Sequence, residues 1–187
     1  MTDAELAHSL LQEAKAKGLI VGYDTPDEKD IAFYRFGNKN ETTPYDRHVV
    51  VSKNMMMPNV VAHELGHAMD WQGIEDSPVR NSWVRGTNGL AHYAPKATLL
   101  AGTVAALLGA NKTALAAIGG AGALAALPQL IRELKASKNG YSILREKGKD
   151  RLEAAKTFGG IRGYVTPMLL GFLPLGARMA FDYFNKK

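Results

Sequence analysis

"VVAHELGHAMDW", residues 60–71, decides how the rest of the chain is read. Two histidines and a glutamate sit inside an apolar run. In an α-helix, positions i and i+4 share a face, so His63 and His67 project together and two imidazoles can hold one metal ion. Glu64 follows His63 directly, near enough to reach a water on that metal without ligating it. This is the H-E-x-x-H arrangement, with His63 and His67 as zinc ligands and Glu64 as general base. The competing reading is an amphipathic helix that carries two histidines by chance. The flanks favour zinc. Val60, Val61, Leu65 and Ala68 supply apolar packing, and Gly66 leaves room for another element to approach. A charged Glu64 in such surroundings is costly unless it meets a metal or a partner.

Upstream, Thr2 and Glu5 form a capping-box pattern ahead of Leu6, Leu10, Leu11 and Ala14, which share one helical face. Gly18 suits the C′ position of that helix, whose wet side bears Glu13, Lys15 and Lys17. The runs "LIVGY" (19–23), "DIAFYRF" (30–36) and "HVVVS" (48–52) are rich in β-branched and aromatic residues and are separated by turn-formers. They predict two or three strands of a small sheet. The motif helix is expected from Met57 or Pro58 to about Gln72, with Gly73 as its stop. Residues 74–95 read as loop, because Pro, Gly, Asn and Ser break any period.

Composition then shifts. The stretch 97–131 carries a single charge, Lys112, and is dominated by Leu, Ala, Gly and Val. "GANKT" (109–113) divides it into two arms, of which the second nearly reaches membrane-spanning length and the first falls short. Gly102, Gly109, Gly119, Gly120 and Gly122 offer small faces for close helix contact. A polar helix is expected from "RELKAS" (132–137) onward. A last apolar stretch, 163–181, is interrupted by Pro167 and Pro174.

The 187 residues allow one domain with a sizeable core. The absence of cysteine excludes disulfides and thiolate metal sites. A net charge of +5 is spread over short patches, so no specific nucleic-acid partner is expected. The N-terminus lacks the charged and apolar regions of a cleaved signal peptide.

A third protein ligand is needed, and four candidates exist: Asp70, Glu75, His92 and Glu133. Geometry alone does not choose among them. Asp70 is tied helically to the motif and reads as an outer partner accepting an N–H from a ligating imidazole. His92, Tyr93 and Tyr141 are candidate donors to the charge that develops on an attacked carbonyl oxygen. Val49, Val50 and Val51 form the candidate edge strand on which an extended peptide substrate would add.

From about residue 41 to 176 the chain resembles the YugP-like neutral zinc metallopeptidases, membrane-embedded proteins of the gluzincin type. The matching pieces are "HVVVSKN", "VVAHELGHAMD", the apolar run 97–131, "ELKASKNGYSIL" and "YVTPMLLGFLPLGA", in that order. The sequence departs from the family pattern at Lys135, where an acidic residue is usual, at Asn139 and Gly140, which replace a run of small residues, and at Asp70-Trp71, where Gln is common. The resemblance implies that Glu133 is the third zinc ligand, on a second helix that opens after the apolar segment. It places the small residues Ala136 and Ser137 where that helix would pack close to the zinc helix.

The expected fold is therefore α+β, mainly α. A single zincin-like domain spans 1–187, with a small N-terminal sheet, the H-E-x-x-H helix and a second ligand-bearing helix. Two apolar helical segments, 97–131 and 163–181, are its membrane-associated insertions. The expected function is a zinc metalloendopeptidase with one Zn²⁺, a peptide or protein substrate and membrane lipid as a partner. The alternatives are a membrane-inserting structural protein, such as a phage virion or ejection component with a structural or vestigial zinc site, and a soluble zincin whose apolar segments form a helical core.

Overall fold

A computed structural model describes residues 1–27, 32–35, 47–71 and 78–185. In chain order the elements are α1 (Asp3–Ala16), β1 (Gly22–Asp24), β2 (Ala32–Arg35), β3 (His48–Val51), α2 (Pro58–Trp71), α3 (Pro78–Leu107), α4 (Lys112–Glu146), α5 (Arg151–Ala155), α6 (Arg162–Leu170) and α7 (Leu173–Phe184). Short 3-10 turns cover Lys53–Met55 and Lys156–Ile161. The fold is mainly helical with one three-stranded sheet. The chain divides into two compact units: residues 1–77 with 132–159, and residues 78–131 with 160–187. The division falls within α4. Both apolar stretches lie in the second unit.

In the first unit, α1 begins as its capping box dictates. Thr2 Oγ1 accepts from Glu5 N–H, and the Glu5 carboxylate accepts from Thr2 N–H. Gly18 closes the helix at φ 68°, a left-handed conformation that a side chain would strain. Leu6, Ala7, Leu10, Leu11 and Ala14 are buried, and α1 packs on α2. The sheet has the order β1-β3-β2, parallel on one side of β3 and antiparallel on the other. This corrects the edge-strand expectation for Val49, Val50 and Val51. β3 is the central strand, its backbone is used by a neighbour on each side, and all three valines are buried. The run is continuously apolar because a central strand is covered from both faces.

Ion pairs tie α1 to the chain at the end of α4. Glu13 accepts from Lys17 at 2.7 Å and from Lys147, and Asp3 accepts from Lys149 at 2.8 Å. The hydrogen bonds from Lys147 and Lys17 carry the Glu13 carboxyl down from 4.5 to about 2. A carboxyl depressed in the folded state stabilises it above the unfolded pKa and loses that contribution as pH falls through the folded one. Stability of this unit should therefore fall between about pH 4.5 and 2. Glu13→Gln should remove about 0.5–1 kcal/mol at pH 7, a figure reduced for solvent screening, and little at pH 2. Urea titrations at the two pH values check it.

In the second unit, α3 corrects the loop expected over 74–95. The helix runs unbroken from Pro78; residues 72–77, including Gly73 and Glu75, lie outside the described residues. Pro78 takes the first helical position, where a missing N–H costs nothing. Pro95 sits mid-helix and is fully buried, so its packing offsets the lost backbone bond. The turn predicted at "GANKT" is present, with Gly109 at φ 85°. A Cβ at Gly119 would lie 2.9 Å from Gly171 O, one at Gly122 2.2 Å from Thr98 Oγ1, and one at Gly102 3.0 Å from Pro174 Cγ. Those three glycines admit close contacts; Gly120 and Gly109 meet nothing within 4 Å.

The helix bearing Glu133 does not open after the apolar segment. α4 runs continuously from Lys112 through Pro128 to Glu146, so apolar arm and polar helix are one element. It is long and apolar enough to cross a membrane; its most apolar window has mean hydropathy 1.7 and is 22% buried. The stretch 163–181 breaks between Leu170 and Leu173 with a 58° bend. Pro167 lies inside α6, and Pro174 stands in the first turn of α7.

Candidate metal centre

The second half of α4 presents Glu133, Ala136, Ser137, Gly140 and Leu144 as one buried stripe. The spacing is that of a single helical face. This face meets α2 at backbone distance. A Cβ at Gly66 would lie 2.1 Å from Ala136 O, and one at Gly140 would lie 2.7 Å from Ala62 O. Asn139 Nδ2 donates to Gly66 O at 3.1 Å, which pins the two helices in register.

That approach brings Glu133 to the histidine face of α2, 70 residues from His63 in sequence. Glu133 Oε2 lies 3.2 Å from His63 Nε2 and 3.4 Å from His67 Nε2. The two imidazole rings stand edge to face, centroids 5.0 Å apart. One ligand atom from each of the three residues falls within 4.8 Å of the others, so the group can hold a metal ion. Two imidazoles and one carboxylate are a fitting donor set for a transition metal, and three protein ligands leave a coordination position open.

Burial alone would raise the Glu133 carboxyl, but the two imidazole hydrogen bonds and the histidine charges outweigh it and carry the group to about 2. Burial would lower the His67 imidazole; the Glu133 hydrogen bond, with the charges of Glu133, Glu64 and Asp70, raises it instead. The centre is thus strongly cation-seeking. Glu64 is buried on α2 beside His63.

The other expected residues lie as follows. The Asp70 carboxylate is 4.0 Å from Lys135 Nζ and contributes to the negative field at His67. His92 stands on α3 in the second unit, not in a loop; its Nε2 lies 3.1 Å from Lys96 Nζ and its ring against Tyr93. The Tyr141 ring packs near Phe158. Among the described residues the three-ligand group is His63, His67 and Glu133. Sequence reading missed Asn139 as a tie to Gly66, and Thr157, whose carbonyl meets Ser137. Neither carries a periodic or motif signal.

No family model, no curated protein and no solved structure matches this chain.

Gly66→Ala should be severely disruptive, because the obstruction is a backbone carbonyl that no rotamer change can move. Parting α2 from α4 should cost about 1–3 kcal/mol or more by overpacking. It also moves Glu133 away from the histidines. The expected result is a lowered Tm together with weakened metal binding; an unchanged Tm would contradict the close approach.

Proposed function

We propose that the protein is a zinc-dependent peptidase of the zincin type, akin to the YugP-like metallopeptidases, and that it works at a membrane. The observation that carries the reading is the convergence of His63, His67 and Glu133 beside a buried Glu64. A structural metal site does not need a general base at that position. Bound by these three residues, zinc would supply Lewis acidity to activate a water and polarise a peptide carbonyl. Glu64 takes the proton of the attacking water and delivers it to the departing amine. The outer edge of β2, which packs against α2, replaces β3 as the place where an extended peptide would add as a further strand.

Membrane association is supported by the second unit. Its helices leave Leu100, Leu107, Leu124, Leu169, Phe181 and Phe184 exposed. The apolar window of α4 is far less covered than a core helix would be. The same uncovered surface favours a second reading, a membrane-inserting structural protein with an inert metal site. Zinc-loaded full-length protein in detergent should cleave an unfolded protein substrate, lose that activity to a chelator and regain it with zinc. Bound zinc without cleavage of any substrate would favour the structural reading. Sedimentation with membranes after a carbonate wash tests the association.

A further inference from the structure

We infer that Ser137 is a positioning residue that sets the tautomer of His63, so that Nε2 is the nitrogen offered to the metal. The inference rests on the metal reading above and concerns a residue outside the three ligands. Among the described residues, Ser137 Oγ, fully buried, has two polar neighbours. It lies 3.1 Å from His63 Nδ1 and 3.0 Å from the backbone carbonyl of Thr157.

Proton counting assigns the roles. A hydroxyl carries one proton, and a carbonyl can only accept. The Ser137 proton therefore goes to Thr157 O. Ser137 Oγ is left to accept, so the proton between it and His63 belongs to Nδ1. In a neutral ring Nε2 is then bare. It points at Glu133 Oε2, 3.2 Å away. A lone pair facing a carboxylate oxygen at that distance is stable only with a cation between them, a metal ion or a proton.

The Thr157 carbonyl is itself held in place. Thr157 Oγ1 is buried and lies 3.1 Å from Ser137 O and 2.9 Å from Ala154 O. The 3-10 turn after α5 is thereby strapped to α4. Ligating histidines commonly direct the second N–H to a carboxylate, a backbone carbonyl or water. Here the same task falls to a serine whose polarity is fixed by a carbonyl. No charge is added next to the metal, so its Lewis acidity is not reduced by a further carboxylate.

The experiment uses full-length protein labelled with ¹⁵N-histidine, with and without zinc, and zinc affinity measured by chelator competition. In the wild type the His63 Nδ1 proton should be visible and slow to exchange, with Nε2 unprotonated in the zinc-loaded state. Ser137→Ala should speed exchange of that proton and weaken zinc binding about 10–100-fold. Ser137→Cys keeps the volume but accepts poorly, so it should weaken binding to an intermediate degree and keep the inference testable if the alanine variant fails to fold. Thr157→Val removes the hydroxyl that holds the Thr157 carbonyl and should speed exchange of the Nδ1 proton less than Ser137→Ala does. A proton on Nε2 instead of Nδ1 in the zinc-loaded wild type, or wild-type zinc affinity in both Ser137 variants, would overturn the inference. A wild type that binds no zinc would overturn the metal reading instead, and exchange at Nδ1 in the metal-free protein would still decide the role of Ser137.

Discussion

On the peptidase reading proposed above, Glu64→Gln should lower peptide hydrolysis by about 10²–10⁴-fold, the usual worth of a general base, and leave bound zinc unchanged. Glu64 sits on α2 between His63 and His67 in sequence but is not one of the three residues whose donor atoms converge. Glutamine keeps the size and a hydrogen-bonding oxygen but cannot take a proton from water. The side chain is buried, so bulk buffer is a poor substitute for it. Two measurements on one preparation check the expectation, zinc per chain and the rate of substrate cleavage. Unchanged zinc with a collapsed rate fits a base. Loss of zinc would mean that Glu64 holds the metal, and an unchanged rate would remove it from the chemistry.

On the same proposed reading, Glu133→Ala should weaken zinc binding by roughly 100-fold or more. Structural zinc sites are worth about 10–16 kcal/mol over four ligands, or roughly 3 kcal/mol for each. The carboxylate also does more than donate one oxygen. Its Oε2 lies within 3.4 Å of both imidazoles, and it would supply the negative charge that balances a bound dication. Because its pKa is about 2, it is ionised at neutral pH and needs to release no proton to ligate. Glu133→Gln separates charge from shape: it should bind more weakly than wild type and more tightly than alanine. A full equivalent of tightly bound zinc in Glu133→Ala would sink the three-ligand assignment.

How much of this could be read from residue order depends on the range of each interaction. The cap of α1 was legible because Thr2 and Glu5 answer each other within one turn. The pairing of His63 with His67 was legible because helical geometry alone puts them on one face. Glu133 was different. Asp70, Glu75, His92 and Glu133 were open as third ligands on geometry, and only the family resemblance pointed to Glu133. Local signals also misled. Between 78 and 95 the prolines and glycines read as breakers, yet α3 runs through them, because a buried Pro95 is offset by packing that no local rule contains. The valines of β3 look the same whether their strand is an edge or a centre; only the pairing of β1 and β2 on either side distinguishes the two.

The sequence by itself determined the two imidazoles on one helical face, the glutamate beside them, the capped first helix, the turn at Gly109 and the apolar character of 97–131. These are short-range properties, set by side-chain type and helical period. The tertiary structure decided which carboxylate lies against the two histidines, which nitrogen of His63 faces it and which strand lies at an edge. Those outcomes hang on two backbones meeting at Gly66 and Gly140, and on a buried serine held by the carbonyl of Thr157. Contacts between residues far apart in the chain leave no period in it, so they exist only once the helices have packed.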